Sequence, residues 1–150
     1  MANELIIASA GSGKTTALVE KAIEKANAGE TVLITTFTEA CEEEIKNKLV
    51  EESNGYITDN ITIQTWFSFL IKHGAKPYQD YVMATEITGL ILEGGKSGLR
   101  YETPEGKKFY WGEAKNAYEF YFSKSGKIYS DKLAKFVIRC NKDSGEKVIN

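Results

Sequence analysis

The residues with the most chemical content stand near the start of the chain, in Ala8-Ser9-Ala10-Gly11-Ser12-Gly13-Lys14-Thr15-Thr16. Two closely spaced glycines let a backbone turn its N–H groups inward, and a helix starting just after them adds its own, so the segment makes an anion cradle. Lys14 supplies a point charge for β- and γ-phosphates, and the Thr15 hydroxyl is a hard oxygen suited to Mg2+. The phosphate-loop pattern G-x-x-x-x-G-K-[ST] is met at every fixed position but the first, where Ala8 stands. The residues expected around a bound nucleotide are Ser9, Ala10, Gly11, Ser12, Gly13, Lys14, Thr15 and Thr16. Lys14 and Thr15 take the catalytic roles, and Thr15 is the metal ligand. A Gly/Ser turn that happens to precede Lys-Thr is the plainer reading, and the flanking elements argue against it.

Such a loop works between a strand and a helix. Leu5-Ile6-Ile7-Ala8 is a continuous apolar run, as in a parallel strand covered on both faces. Thr15 to Ala28 reads as a helix, with Leu18, Val19, Ala22, Ile23 and Ala26 at helical spacing and Gly29 as its stop. Thr31 to Thr36 is a second buried strand. Thr38 caps a helix from Glu39 to Glu52 whose Cys41, Ile45 and Leu49 face inward. Ile61 to Gln64 alternates like a short strand, and Thr65 to Ile71 resumes an apolar helical pattern. This alternation begins a parallel α/β sheet.

Composition sets the outer bounds. The 150 residues are 42% hydrophobic and 27% charged, which suits an ordinary globular chain. Two cysteines without C-x-x-C spacing and one histidine exclude a disulfide framework, a zinc finger and a His-based triad. No apolar run is long enough to span a bilayer, so the expectation is a reduced, cytoplasmic protein with no membrane partner. Charge is uneven: residues 1–95 carry 7 basic against 14 acidic side chains, and residues 96–150 carry 12 against 7 with 10 of the aromatics. We therefore read two regions, 1–76 and 77–150, the second smaller and mostly helical. In it, Ile87, Leu90 and Ile91 fit one helix face, and residues 100–103 and 108–111 flank a hairpin turn at Pro104-Glu105-Gly106. Ser130 is placed to cap a last helix carrying Leu133, Phe136, Val137 and Cys140. Lysines interleaved with aromatics, such as Lys107-Lys108-Phe109-Tyr110-Trp111, fit either a nucleic-acid surface or a small core with solvated lysines.

Three ordered segments resemble the N-terminal part of superfamily 1 DNA helicases of the UvrD/Rep and RecB/AddA type. The phosphate loop, with Ala in place of the first Gly, is similar to that family's version. Thr36-Phe37-Thr38 followed by Cys41, Glu44-Ile45 and Lys48-Leu49 resembles the motif T-F-T-x-x-A-x-x-E-M-x-x-R-L, and Ile63-Gln64-Thr65-Trp66-Phe67-Ser68-Phe69 resembles T-x-H-S-F. The resemblance implies a P-loop NTPase (RecA-like) parallel sheet, here incomplete, followed by an accessory region. It implies ATP and Mg2+ as cofactors, single-stranded or partly duplex DNA as partner, and DNA contacts at Thr36, Phe37, Thr38, Thr65 and Ser68. An exposed aromatic at a strand end stacks on any base, and hydroxyls hold phosphates without reading sequence. Phe37 is expected to serve function, while Phe69 and one of Trp66 and Phe67 are expected in the core.

The chain departs from the family at Phe67, which replaces the His, and at Glu39, where Asn is common. Met1 stands too close to the loop for the upstream Gln segment that reads adenine. No apolar run ends in Asp-Glu, and Arg100 and Arg139 are the only arginines, so the carboxylate pair and arginine fingers of an ATPase motor are missing. The expectation is the front piece of an ATP-dependent DNA helicase or translocase, working with the remaining motor domains of a longer chain and inactive by itself. A non-catalytic nucleotide- or DNA-binding module complete at 150 residues is the rival. A small-molecule phosphotransferase, which needs a lid with several arginines, is a weaker one.

Overall fold

A computed structural model describes Ile7, Ser9 and residues 11–148. The chain divides into two compact units, Met1–Trp66 and Phe67–Asn150. The division falls earlier than the composition change near Lys76, because Phe67, Leu70, Ile71 and Tyr78 already pack on the second unit's core.

In the first unit, α1 (Lys14–Asn27) buries Val19, Ala22 and Ala26. It stops where Gly29 takes φ 79° and returns its N–H to the Ala26 carbonyl, as a glycine-terminated helix does. Strand β1 (Val32–Thr36), helix α2 (Glu39–Glu52) and strand β2 (Ile61–Thr65) follow. The strands pair in parallel from Val32↔Ile61 to Thr36↔Thr65. Ile34, Ile45, Leu49, Ile61 and Ile63 close the core over α1.

Several expectations are corrected here. Strand β1 is not covered on both faces: Ile34 and Thr36 are buried, while Leu33 and Thr35 are exposed. Leu18 is exposed because the buried stripe of α1 begins at Val19. Cys41 is exposed because α2 buries only Ile45 and Leu49, a turn or more further on. Of the strand expected over residues 5–8, Leu5, Ile6 and Ala8 lie outside the described residues, as does Ala10 of the loop. Ile7 is exposed and belongs to no strand.

The second unit begins within α3 (Trp66–Phe69), which continues into a π-helical turn (Leu70–Ala75), a 3-10 turn (Lys76–Tyr78) and α4 (Gln79–Val82). The turn passes close to the last helix at Gly74, where a Cβ would lie 3.0 Å from Val137 Cγ1. Strand β3 (Gly89–Ile91) pairs in parallel with β6 (Lys127–Tyr129), and β4 (Arg100–Glu102) pairs antiparallel with β5 (Lys108–Tyr110). Helices α5 (Ala117–Tyr121) and α6 (Ser130–Asp143) complete the unit. The hairpin at Gly106 stands where the sequence predicts it. Leu90 and Ile91 do not: they lie in a strand, because pairing with Ile128 and Tyr129 overrides a short helical pattern. The region is therefore mixed rather than mostly helical. Helix α6 buries Leu133, Phe136, Val137 and Cys140, the four expected. Ser130 is its first residue rather than its cap, and the Ser130 hydroxyl accepts the Glu93 N–H at 2.9 Å. Among the described residues no helix is long and apolar enough to cross a membrane.

An ion-pair network ties the segment before α5 to α6. Glu113 pairs with Lys135 at 2.8 Å and with Arg139, which also reaches Asp143 at 3.3 Å. Burial pushes the Glu113 carboxyl up, but the Lys135 ammonium, the Tyr121 hydroxyl and the Arg139 guanidinium outweigh it and hold it below its ordinary 4.5. A depressed carboxylate stabilises the fold above its unfolded pKa, and that contribution is lost as pH falls through the lower folded value. Glu113→Gln should therefore melt earlier than the parent at about pH 6 and show a smaller further loss on acidification to about pH 3. Thermal melts at the two pH values check this; equal acid sensitivity in parent and variant would exclude it.

Candidate phosphate-loop and nucleic-acid site

The loop geometry follows from its two described glycines. Gly11 and Gly13 take φ 75° and 80°, the left-handed region in which a side chain is strained. Ser12 returns its hydroxyl to the Ser9 carbonyl at 2.7 Å, and the Lys14 ammonium donates to the same carbonyl at 2.6 Å. The loop is thus wound around Ser9, with Lys14 folded over it. Helix α1 begins directly after Gly13 with no side-chain cap and no acidic residue in its first turn. An uncapped first turn leaves backbone donors for an anion to accept, and no carboxylate there repels it.

The hydroxyls beyond Lys14 meet α2. Thr15 donates to a Glu44 carboxylate oxygen at 3.3 Å, and Lys48 donates to the Thr16 hydroxyl. Glu44 and Lys48 are one helical turn apart, so they share a face of α2. The sequence marks both as motif positions but not as neighbours of the loop; their i, i+4 spacing is the one local signal. A hydroxyl beside a carboxylate is a hard-oxygen pair, and that donor set fits Mg2+. Among the described residues no group of three or more His, Cys, Asp or Glu side chains gathers to hold a metal.

Thr36, Phe37, Thr38 and Thr65 come together at the C-terminal ends of β1 and β2. Thr36 and Thr65 are register partners and both are buried. The Thr36 hydroxyl donates to the Thr38 carbonyl at 3.0 Å, and the Thr38 hydroxyl accepts the Cys41 N–H at 3.1 Å, capping α2 as the sequence predicts. These two bonds shape the strand-to-helix turn, and the turn leaves Phe37 82% exposed. Ser68 is exposed in the second unit. Of the neighbouring aromatics, Phe67 packs on the second core, Trp66 is half exposed, and Phe69 lies against His73 with ring centroids 5.2 Å apart.

The aromatics of the second unit fall into a buried set and an exposed set. Tyr121, Phe122 and Phe136 are fully buried and meet edge to face. Tyr101 and Phe109 stack at 5.3 Å on the exposed hairpin that carries Lys107 and Lys108. Lys132 and Lys135 flank the Phe120 ring at 4.9 and 4.7 Å.

Residues 2–131 match the UvrD/REP helicase N-terminal domain family. The chain is 43% identical over 60 residues to an ATP-dependent helicase/nuclease subunit from Oenococcus oeni, a match covering 38% of this chain and 5% of that protein. The proteins of the same description from Enterococcus faecalis and Pediococcus pentosaceus are 50% and 52% identical over 50 residues, covering 31% of this chain and 4% of each. The matched stretch is therefore a small fraction of these relatives' length. No solved structure matches the chain.

Thr38 is the structural keystone of the turn that presents Phe37. Thr38→Ala should cost about 1 kcal/mol of stability, and Thr38→Ser should recover most of it. Urea unfolding measures both; equal losses in the two variants would remove the capping bond as the cause.

Proposed function

The chain belongs to the UvrD/REP helicase N-terminal domain family, and from this premise we propose that it is the nucleotide- and DNA-binding front of an ATP-dependent DNA helicase or single-stranded DNA translocase. Its core would be the corresponding part of a P-loop, RecA-like sheet, with residues 77–150 as an accessory region. The observation that carries the reading is the pairing of an uncapped, glycine-wound loop with an exposed aromatic at the carboxyl ends of parallel strands. Ligands of open α/β sheets bind at those ends.

Ser9, Gly11, Ser12, Gly13 and the first turn of α1 would surround the phosphates of ATP, with Ala10 in the same loop. Lys14 would leave the Ser9 carbonyl for the β- and γ-phosphates, exchanging a neutral acceptor for a charged one. Bound Mg2+ would neutralise phosphate charge, with Thr15 as its protein ligand. Phe37 would stack on a base of the DNA strand, with Thr36, Thr38 and Thr65 toward the backbone. Thr36 and Thr38 would act mainly by holding the turn, since their hydroxyls already bond within it. Hydrolysis would await catalytic groups outside this segment, and nucleotide-driven closure against a further motor domain would move the strand.

Titration with a fluorescent ATP analogue should show binding by the parent chain and at least a roughly tenfold loss in Lys14→Ala, with the fold intact by circular dichroism. Undiminished affinity in that variant would overturn the nucleotide site. Phe37→Ala should weaken binding of single-stranded oligonucleotides about tenfold whatever their sequence, as loss of one stacking contact requires. Fluorescence anisotropy reads this, and unchanged binding would remove Phe37 from the DNA path.

A further inference from the structure

We propose that Glu44 is a positioning residue for Thr15, holding its hydroxyl in the orientation that presents the oxygen lone pairs to Mg2+. The inference rests on the phosphate-loop reading and goes beyond it, since Glu44 belongs to a different element from the loop.

A threonine that ligates a metal does so through a lone pair on oxygen, so its hydrogen must point elsewhere. In water that hydrogen swings freely; an acceptor fixed in the protein aims it and thereby aims the lone pairs. Glu44 Oε1 lies 3.3 Å from Thr15 Oγ1 and accepts from it. The contact is not an isolated surface encounter. One turn further along α2, Lys48 donates to the hydroxyl of Thr16, so consecutive hydroxyls at the start of α1 are engaged by two residues on one face of α2. The backbone that carries them is held firmly. Ile45, next to Glu44, and Leu49, next to Lys48, are buried in the core shared with Val19 and Ala22 of α1. The Thr38 cap fixes the beginning of α2. A carboxylate one bond away from the ligand also adds negative charge beside the metal, which favours a dication and disfavours a nucleotide that arrives without one.

The two effects predict opposite signs with and without metal, which separates positioning from a general loss of structure. The test is titration of a fluorescent ATP analogue into the chain, in MgCl2 and in EDTA, for the parent, Glu44→Ala, Glu44→Gln and Lys14→Ala. In the parent, Mg2+ should tighten binding. In Glu44→Ala that gain should shrink by roughly tenfold, while affinity in EDTA is equal or higher. Glu44→Gln keeps an acceptor oxygen and should retain a larger gain than Glu44→Ala. An unchanged ratio of the two affinities in Glu44→Ala would overturn the inference, as would equal losses in both media. So would a glutamine variant no better than alanine. A parent that binds and a Lys14→Ala that does not, together with an unchanged ratio in Glu44→Ala, would leave the phosphate-loop reading standing and remove only the role of Glu44. A parent with no nucleotide affinity would remove both.

Discussion

The register in which β1 pairs with β2 is the constraint on which the first unit depends. With Val32 opposite Ile61 and Thr36 opposite Thr65, Ile34, Ile61 and Ile63 fall on the face covered by α1 and α2. A one-residue slip would turn one strand's apolar side chains away from the helices, so burial enforces the register. The same register brings both strands to an end together. Their carboxyl ends therefore share one edge, and the turn carrying Phe37 stands on it.

Helix α2 links that strand end to the candidate phosphate loop. It starts from the Thr38 cap at the strand end, and its next turns carry Glu44 and Lys48 to the hydroxyls of Thr15 and Thr16. Between these polar contacts the helix is anchored by Ile45 and Leu49. One rigid element thus reaches from the aromatic-bearing turn to the loop.

The second unit solves a different problem with different means. Its core centres on three aromatic rings, Tyr121, Phe122 and Phe136, packed with aliphatic residues such as Ile87, Ile128, Leu133 and Val137, and the π-helical turn approaches closely at Gly74. Its lysines do two jobs. Lys135 neutralises the partly buried Glu113 and, with Lys132, covers the Phe120 ring, whereas Lys107 and Lys108 remain on the exposed hairpin beside Tyr101 and Phe109. A basic, aromatic composition therefore does not describe one surface; packing divides it into a core with its ion pairs and an exposed ribbon.

Much of this was legible in the residues alone, where one local rule governs the outcome. Helix α1 with its glycine stop, the Thr38 cap, the extent of α2, the hairpin at Gly106 and the buried stripe of α6 all follow from periodicity, capping or turn chemistry. So does the turn before α1, where Gly11 and Gly13 take left-handed conformations and the helix starts at Lys14. Tertiary structure alone decided the rest. Leu90 and Ile91 became a strand because Lys127–Tyr129 was available to pair with. Leu33 and Cys41 stayed exposed because the packed face ends short of them. Glu44 met Thr15 because two helices, 29 positions apart in sequence at that contact, pack side by side on one face of the sheet. Contacts between distant segments depend on how whole elements dock, and no local spacing encodes that.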